Sequence, residues 1–120
     1  MKVTFLIRET SEGFASRTDP ERAPAYWAAY AAYFDALREA GFQIQGGALQ
    51  PPHAATTVRV RDGKRVVQDG PHATSKEELG GYFTTEMPDL ETALRWAERC
   101  PAAEYGCVEV VPNLEMAPRG

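Results

Sequence analysis

Cysteine is scarce in this chain. The 120 residues contain two, Cys100 and Cys107, with no CxxC spacing and no neighbouring histidine, which excludes a disulfide framework and a zinc knuckle. Histidine is equally sparse: His53 and His72 lie in separate loops without H-x-H or H-x-x-x-H spacing, so no metal site is expected. Positive charge is in deficit. The formal net charge of −4 argues against a nucleic-acid binder, which needs basic surface to displace counterions, and against a polybasic membrane anchor. Long apolar runs are missing as well. The opening MKVTFLIRET has only a short one before Arg8, too short for the core of a signal peptide or for a membrane span; a cytoplasmic, soluble protein is expected. No internal repeat, linker or low-complexity tract interrupts the chain, and no cofactor is expected.

What remains is an ordinary globular composition, 43% apolar and 25% charged, at a length that fits one domain. Val3, Phe5 and Ile7 alternate with Lys2, Thr4 and Arg8, the period of a strand with one buried face. The stretch ETSEGFASRTD reads as a loop. A helix then begins between residues 20 and 24, where Asp19-Pro20 supplies a cap and first turn, and runs to about Ala40, stopped by Gly41. Tyr26, Tyr30, Tyr33 and Leu37 form its apolar stripe, widened by Trp27 and Phe34. Phe42-Gln-Ile-Gln reads as a short strand followed by a bend at Gly46-Gly47. ATTVRVRDGKRVVQDG reads as a β-hairpin turning at Asp62-Gly63, where both residues tolerate positive φ. GYFTTEM is a further strand. A second helix, capped by Asp89 and ended by Pro101, presents Leu90, Ala93, Leu94 and Ala97 as its apolar face. Tyr105-Gly-Cys-Val-Glu-Val-Val is the last strand.

This order predicts an α+β, ferredoxin-like βαββαβ fold with an added β-hairpin, in a single domain over residues 1–112, followed by a C-terminal tail at 113–120. Two helices cover one face of such a sheet. The other face stays bare, and a homodimer formed through it is the expected remedy.

The run LQPPHAATTVRVRDGKRVVQDGPHATSKEELGGYF, Leu49 to Phe83, resembles the signature region of the DGPF group within the YCII-related superfamily. The flanks agree, with LREAGF closing the first long helix and DLETALRWAERCPAAEYGCVEVVP near the end, so the resemblance covers residues 1–112. It implies a dimeric α/β barrel and a genomic association with extracytoplasmic-function sigma factors, making a sigma factor a candidate partner. It carries no single activity. His72 stands where the group usually has Phe. A His–Asp pair proposed as catalytic elsewhere in the superfamily lies near the first helix, where this chain has no histidine.

Several residues are candidates for chemistry. Asp69-Gly-Pro is first of all a turn, in which the carboxylate accepts backbone N–H bonds. His72, three residues on, pairs with Asp69 as a candidate catalytic dyad able to move protons near neutral pH; the plain alternative is a surface loop histidine. His53, in a proline-bounded loop, reads mainly as a solvated turn residue. Ser75 and Glu78 have capping-box spacing, and Lys76 is a candidate ligand contact on a charged face. Gly80-Gly81 precedes a strand and not a helix, which favours a bulge over a phosphate cradle. Arg59, Arg61 and Arg65 cluster in the hairpin, where edge protection is the usual role. Tyr30 and Tyr82 are candidates to line a pocket between helix and sheet. Together these residues predict a small-organic-ligand cleft near 69–82 with lyase- or isomerase-like chemistry; the alternative is a non-catalytic regulatory module.

Overall fold

Val3, Phe5, Ile7 and Glu9 are the buried phase of the first strand, β1 (Lys2–Glu9). The computed structural model, which describes residues 1–116, places β1 at the centre of a four-stranded antiparallel sheet. On one side it pairs with β5 (Glu78–Glu86) and on the other with β6 (Cys107–Pro112), while β2 (Gln45–Ala48) extends the sheet beyond β5. The helices α2 (Ala23–Glu39) and α3 (Leu90–Arg99) supply Tyr30, Tyr33, Leu37, Ala93 and Ala97 to the core built on Val3, Phe5, Ile7 and Phe83. Strand order β2-β5-β1-β6 with α2 and α3 as crossovers is the ferredoxin-like α+β arrangement. The expected extra hairpin, β3 (Thr56–Arg61) and β4 (Lys64–Asp69), forms a separate two-stranded sheet.

Aromatic stacking holds the layers together. The Phe5 and Phe83 rings lie 4.3 Å apart on adjacent strands, and Tyr33 meets Phe83 edge-on at 6.2 Å. The Tyr33 hydroxyl donates to the Trp96 carbonyl at 2.8 Å, tying α2 to α3. At the hairpin tip Asp62 and Gly63 take φ of 52° and 74°, the conformation expected of that turn.

Five local expectations change. Asp19 accepts from the Glu21 and Arg22 N–H groups in a turn ahead of α2, whose cap position is Arg22 with no side-chain bond. The loop after β1 contains a short helix, α1 (Ser11–Ser16), capped by the Thr10 hydroxyl, which accepts from the Gly13 N–H; a central glycine masks it in the sequence. The second strand lies three residues later than the Phe42 start, and the Gly46-Gly47 pair is the strand itself. Gly46 sits opposite Phe83, and a Cβ there would overlap the Tyr82 carbonyl, so the close approach of β2 to β5 requires glycine. Ser75–Glu78 form no helical turn: the Ser75 hydroxyl accepts from the Glu77 N–H and Glu78 opens β5. On α3, Leu90 and Leu94 are exposed while Ala93 and Ala97 are buried. The expected bulge at Gly80-Gly81 is present, where the β1–β5 register shifts between Ile7 and Arg8. Of the expected tail, residues 117–120 lie outside the described residues; Asn113 still donates its N–H to the Lys2 carbonyl at 2.9 Å.

Candidate functional site

Glu9 ends the buried phase of β1, so its carboxylate points under the helices and is 1% exposed. No described lysine, arginine or histidine forms an ion pair with it. Three tyrosine hydroxyls surround it instead. Tyr30 and Tyr105 donate to Oε1 at 2.6 and 2.9 Å, and Tyr26 donates to Oε2 at 3.1 Å. Tyr26 and Tyr30 come from one face of α2, four residues apart, and Tyr105 from the turn before β6. Charge-assisted bonds of this kind compensate the loss of water around a buried carboxylate.

The tyrosines keep their protons. Burial first, then the Glu9 contact, pushes the Tyr30 phenol far above its ordinary range, and the same causes raise Tyr105. Tyr26 is also raised by burial, although a hydrogen bond from Arg17 opposes the shift. Arg17 Nε donates to the Tyr26 hydroxyl at 3.0 Å, which places that hydroxyl between a guanidinium and a carboxylate. The rest of the Arg17 fork bonds the carbonyls of Leu49 and of Gly80, the latter at 2.9 Å, and so staples the end of β2 to β5. Small residues make room for the cluster. A Cβ on Gly80 would lie 2.9 Å from Glu9 Cγ and 3.1 Å from both Arg17 Nη2 and Phe14 Cε1.

Openings adjoin Glu9 and its tyrosines. A cleft of about 340 Å³ lies between α2 and the β2–β5 edge. Its walls include Tyr26, Trp27, Tyr30, Phe34 and Tyr82, over a floor with Gly46, Gly47, Gly80 and Gly81. The charged side chains on its lining are Arg17 and Arg38, both cationic. On the other side, a groove of about 350 Å³ is lined by Glu9, Pro51, His53, Lys76 and Glu78, among others. Glu78 is the cross-strand partner of Glu9, and its Oε1 is buried without a hydrogen-bond partner. Two carboxylates directly opposite each other in a sheet repel.

The residues singled out in the sequence fall into three places. Tyr30 and Tyr82 line the cleft. His53 and Lys76 line the groove. Asp69 and His72 are exposed at the root of the hairpin, line neither opening, and share no hydrogen bond. The Gly70 N–H there bonds the Ala55 carbonyl at 2.7 Å, closing the hairpin. Glu9, Arg17, Tyr26 and Tyr105 were not singled out for chemistry. The signal for Glu9 was available: a charged residue continues the apolar phase of Val3, Phe5 and Ile7. Tyr105 carried no such mark.

The model of the YCII-related domain matches residues 1–117. The chain belongs to the YCII-related family. An uncharacterised protein of Rhizobium meliloti is 39% identical over 66 residues, which is 53% of this chain and 53% of that one, so the match spans about half of the relative's length. Among solved structures, 5-chloro-2-hydroxyhydroquinone dehydrochlorinase from Burkholderia phenoliruptrix, in complex with 2,5-dihydroxybenzoquinone, aligns over 100% of this chain and 96% of its own, with TM-score 0.50 and 18% identity. That likeness shows a shared fold. No described helix is long and apolar enough to cross a membrane.

Proposed function

We propose that this YCII-related protein is an acid–base enzyme of the lyase or isomerase class, acting on a small, flat, anionic organic molecule held in the cleft between α2 and the β2–β5 edge. The observation that carries the reading is Glu9, a fully buried carboxylate without a cation, joined by hydrogen bonds to two tyrosines that line an aromatic cleft. A carboxylate kept for structure alone has cheaper alternatives, since apolar side chains of similar volume serve a core as well or better. A second carboxylate opposite it, with an oxygen left unpartnered, adds to the electrostatic cost, and such cost concentrates at sites of chemistry.

The ligand class follows from the lining. Aromatic walls and a glycine floor favour a ring lying flat, and two guanidinium groups favour negative charge on it. Tyr30, whose phenol stays protonated, donates to the developing oxyanion or passes its proton onward. When a substrate proton leaves, the Tyr26 or Tyr30 hydroxyl takes it while releasing its own to Glu9, and the freed electron pair forms the new double bond of the product. In an elimination the leaving group departs with its bonding pair; in an isomerisation the proton returns at another carbon. The dehydrochlorinase named above carries out an elimination by name, which is in keeping with this class. Within one chain, Asp69 and His72 stand outside the cleft, and the proton-handling role passes to Glu9.

Proton transfer can be read without knowing the natural substrate. Hydroxylated and carboxylated aromatics, 2,5-dihydroxybenzoquinone among them, are screened by quenching of Trp27 fluorescence, and those that bind are incubated with the protein in D₂O. The expected result is deuterium incorporation at a ring or α-carbon, slowed about 100-fold or more in Glu9→Gln, as for loss of a general base, with ligand binding retained. Exchange at an unchanged rate in Glu9→Gln, or no ring anion bound at all, overturns the reading.

A further inference from the structure

Different tyrosines join Glu9 to two separate openings. Tyr30, itself buried, lines the cleft between α2 and the β2–β5 edge. Tyr105, 42% exposed, lines a further groove of about 650 Å³ together with Thr10, Glu12, Arg22, Arg99 and Glu104. Among the described residues, Tyr105 does not border the cleft and Tyr30 does not border this groove. Both hydroxyls donate to the same oxygen, Glu9 Oε1, at 2.6 and 2.9 Å. One carboxylate atom therefore lies between a phenol on the ligand side and a phenol beside a polar groove. The turn that carries Tyr105 is fixed. The Tyr105 and Gly106 N–H groups both donate to the Ala102 carbonyl, at 3.3 and 2.7 Å, and a Cβ on Gly106 would overlap the Arg8 carbonyl, so the turn closes tightly against β1. Gly13, also on the groove lining, makes room for the contact: a Cβ there would overlap Glu9 Oε2 and stand 2.9 Å from Tyr105 Cε2.

Tyr26 borders both openings, but its hydroxyl is held between charged partners. It donates to Glu9 Oε2 and accepts from Arg17 Nε. To take a proton from Glu9, its O–H would have to turn away from the carboxylate, on an oxygen that already faces a guanidinium. The Tyr105 hydroxyl has no cationic partner among the described residues. The difference matters once the cleft is full. A flat ring lying beside Tyr30 keeps water from that side, and a proton received by Glu9 must leave elsewhere before the next turnover.

We infer that Tyr105 is the proton exit of the cluster, passing protons between the Glu9 carboxyl and solvent in the groove beside it, so that ligand and proton use separate openings. The inference rests on the acid–base reading of Glu9. In each exit the Oε1–H bond of the protonated carboxyl breaks, and its proton bonds to the Tyr105 oxygen. The proton that Tyr105 held passes to water or a dissolved buffer base, and every bonding electron pair stays on oxygen. The hydroxyl then turns back to donate to Oε1. Tyr105 acts through Glu9 and touches no ligand, which makes it a positioning residue for proton transfer.

Hydroxyl exchange reads this path without a ligand. In an equal mixture of H₂O and D₂O, the NMR signal of each isotope-labelled tyrosine Cζ reports how fast its own hydroxyl exchanges. Tyr105→Phe keeps the ring and removes the relaying oxygen. It is expected to slow exchange of the Tyr30 hydroxyl at least about tenfold, with far-UV circular dichroism unchanged. The Tyr33 hydroxyl, bonded to the Trp96 carbonyl outside the cluster, is the internal control and is expected not to change. A purely structural role for Tyr105 has the opposite sign, since losing a donor to Glu9 loosens the cluster and speeds exchange. Tyr26→Phe is expected not to slow the Tyr30 hydroxyl. With a ligand whose carbon-bound hydrogen exchanges, Tyr105→Phe is expected to slow that exchange with binding retained. The primary deuterium isotope effect is expected to shrink, because proton exit replaces C–H cleavage as the slow step. Unchanged or faster Tyr30 exchange in Tyr105→Phe, or slowing by Tyr26→Phe instead, overturns the inference whatever the cleft binds. Ligand exchange at an unchanged rate in Glu9→Gln overturns the acid–base reading, and is distinguished by leaving the ligand-free hydroxyl result as it was.

Discussion

Gly80 shows how narrowly the carboxylate cluster is fitted. Its missing side chain is the space that Glu9 Cγ, Arg17 and Phe14 occupy. Gly80→Ala is expected to lower stability by about 1–3 kcal/mol, the usual cost of overpacking, with a lower urea midpoint and an unchanged m-value. The equivalent change at Gly47, where an added Cβ meets nothing within 4 Å, is expected to leave the midpoint nearly where it was. At this scale the sequence disclosed only part of the site. The tyrosine stripe of α2 was legible because helical spacing reports a buried face. It could not report that Tyr26 and Tyr30 turn their hydroxyls onto one carboxylate of β1, since that depends on where the helix crosses the sheet. The charged loop after β4 drew attention through its composition, while the buried carboxylate sat inside a hydrophobic strand.

Among the elements, strands with alternating side chains declared themselves, and β2 did not. Two of its four residues are glycine, and glycine carries no strand preference; the segment is a strand because β5 accepts it at close range. The length of α1, six residues, put it below what periodicity can detect. The faces of α3 were misjudged for a related reason: leucine spacing marks an apolar face, yet the alanines are what fit against the sheet. Between helices, the Tyr33 hydroxyl spans from α2 to the Trp96 carbonyl on α3. Tyr33→Phe keeps the ring and removes the bond, and is expected to cost about 0.5–1.5 kcal/mol, read as a lower melting temperature with the same cooperativity. A change with no effect would mean that ring packing alone aligns the two helices.

For the molecule as a whole, the buried groups whose acidity is weakened set an alkaline limit. Burial pushes the Cys100 thiol up to about 11, and burial likewise raises Tyr30, Tyr33 and Tyr105. Each is neutral when protonated and holds its proton more tightly in the folded protein than in the unfolded chain. Their contribution to stability is thus complete below the unfolded value, near 9 for the thiol, and is lost as pH rises through the folded one. Thermal melts are expected to fall steadily between pH 9 and 11, and Cys100→Ala is expected to make that fall shallower. A flat profile in the wild type would contradict the burial of these groups.

The ring of hydroxyls around Glu9 draws on positions 9, 26, 30 and 105, almost the full span of the polypeptide. Contacts so distant along the chain close late. The ring is therefore complete only when the turn before β6 has docked, because Tyr105 supplies one of its three donors. Fraying of the C-terminal end would remove the Tyr105 donor and leave the carboxylate with the bonds from Tyr26 and Tyr30.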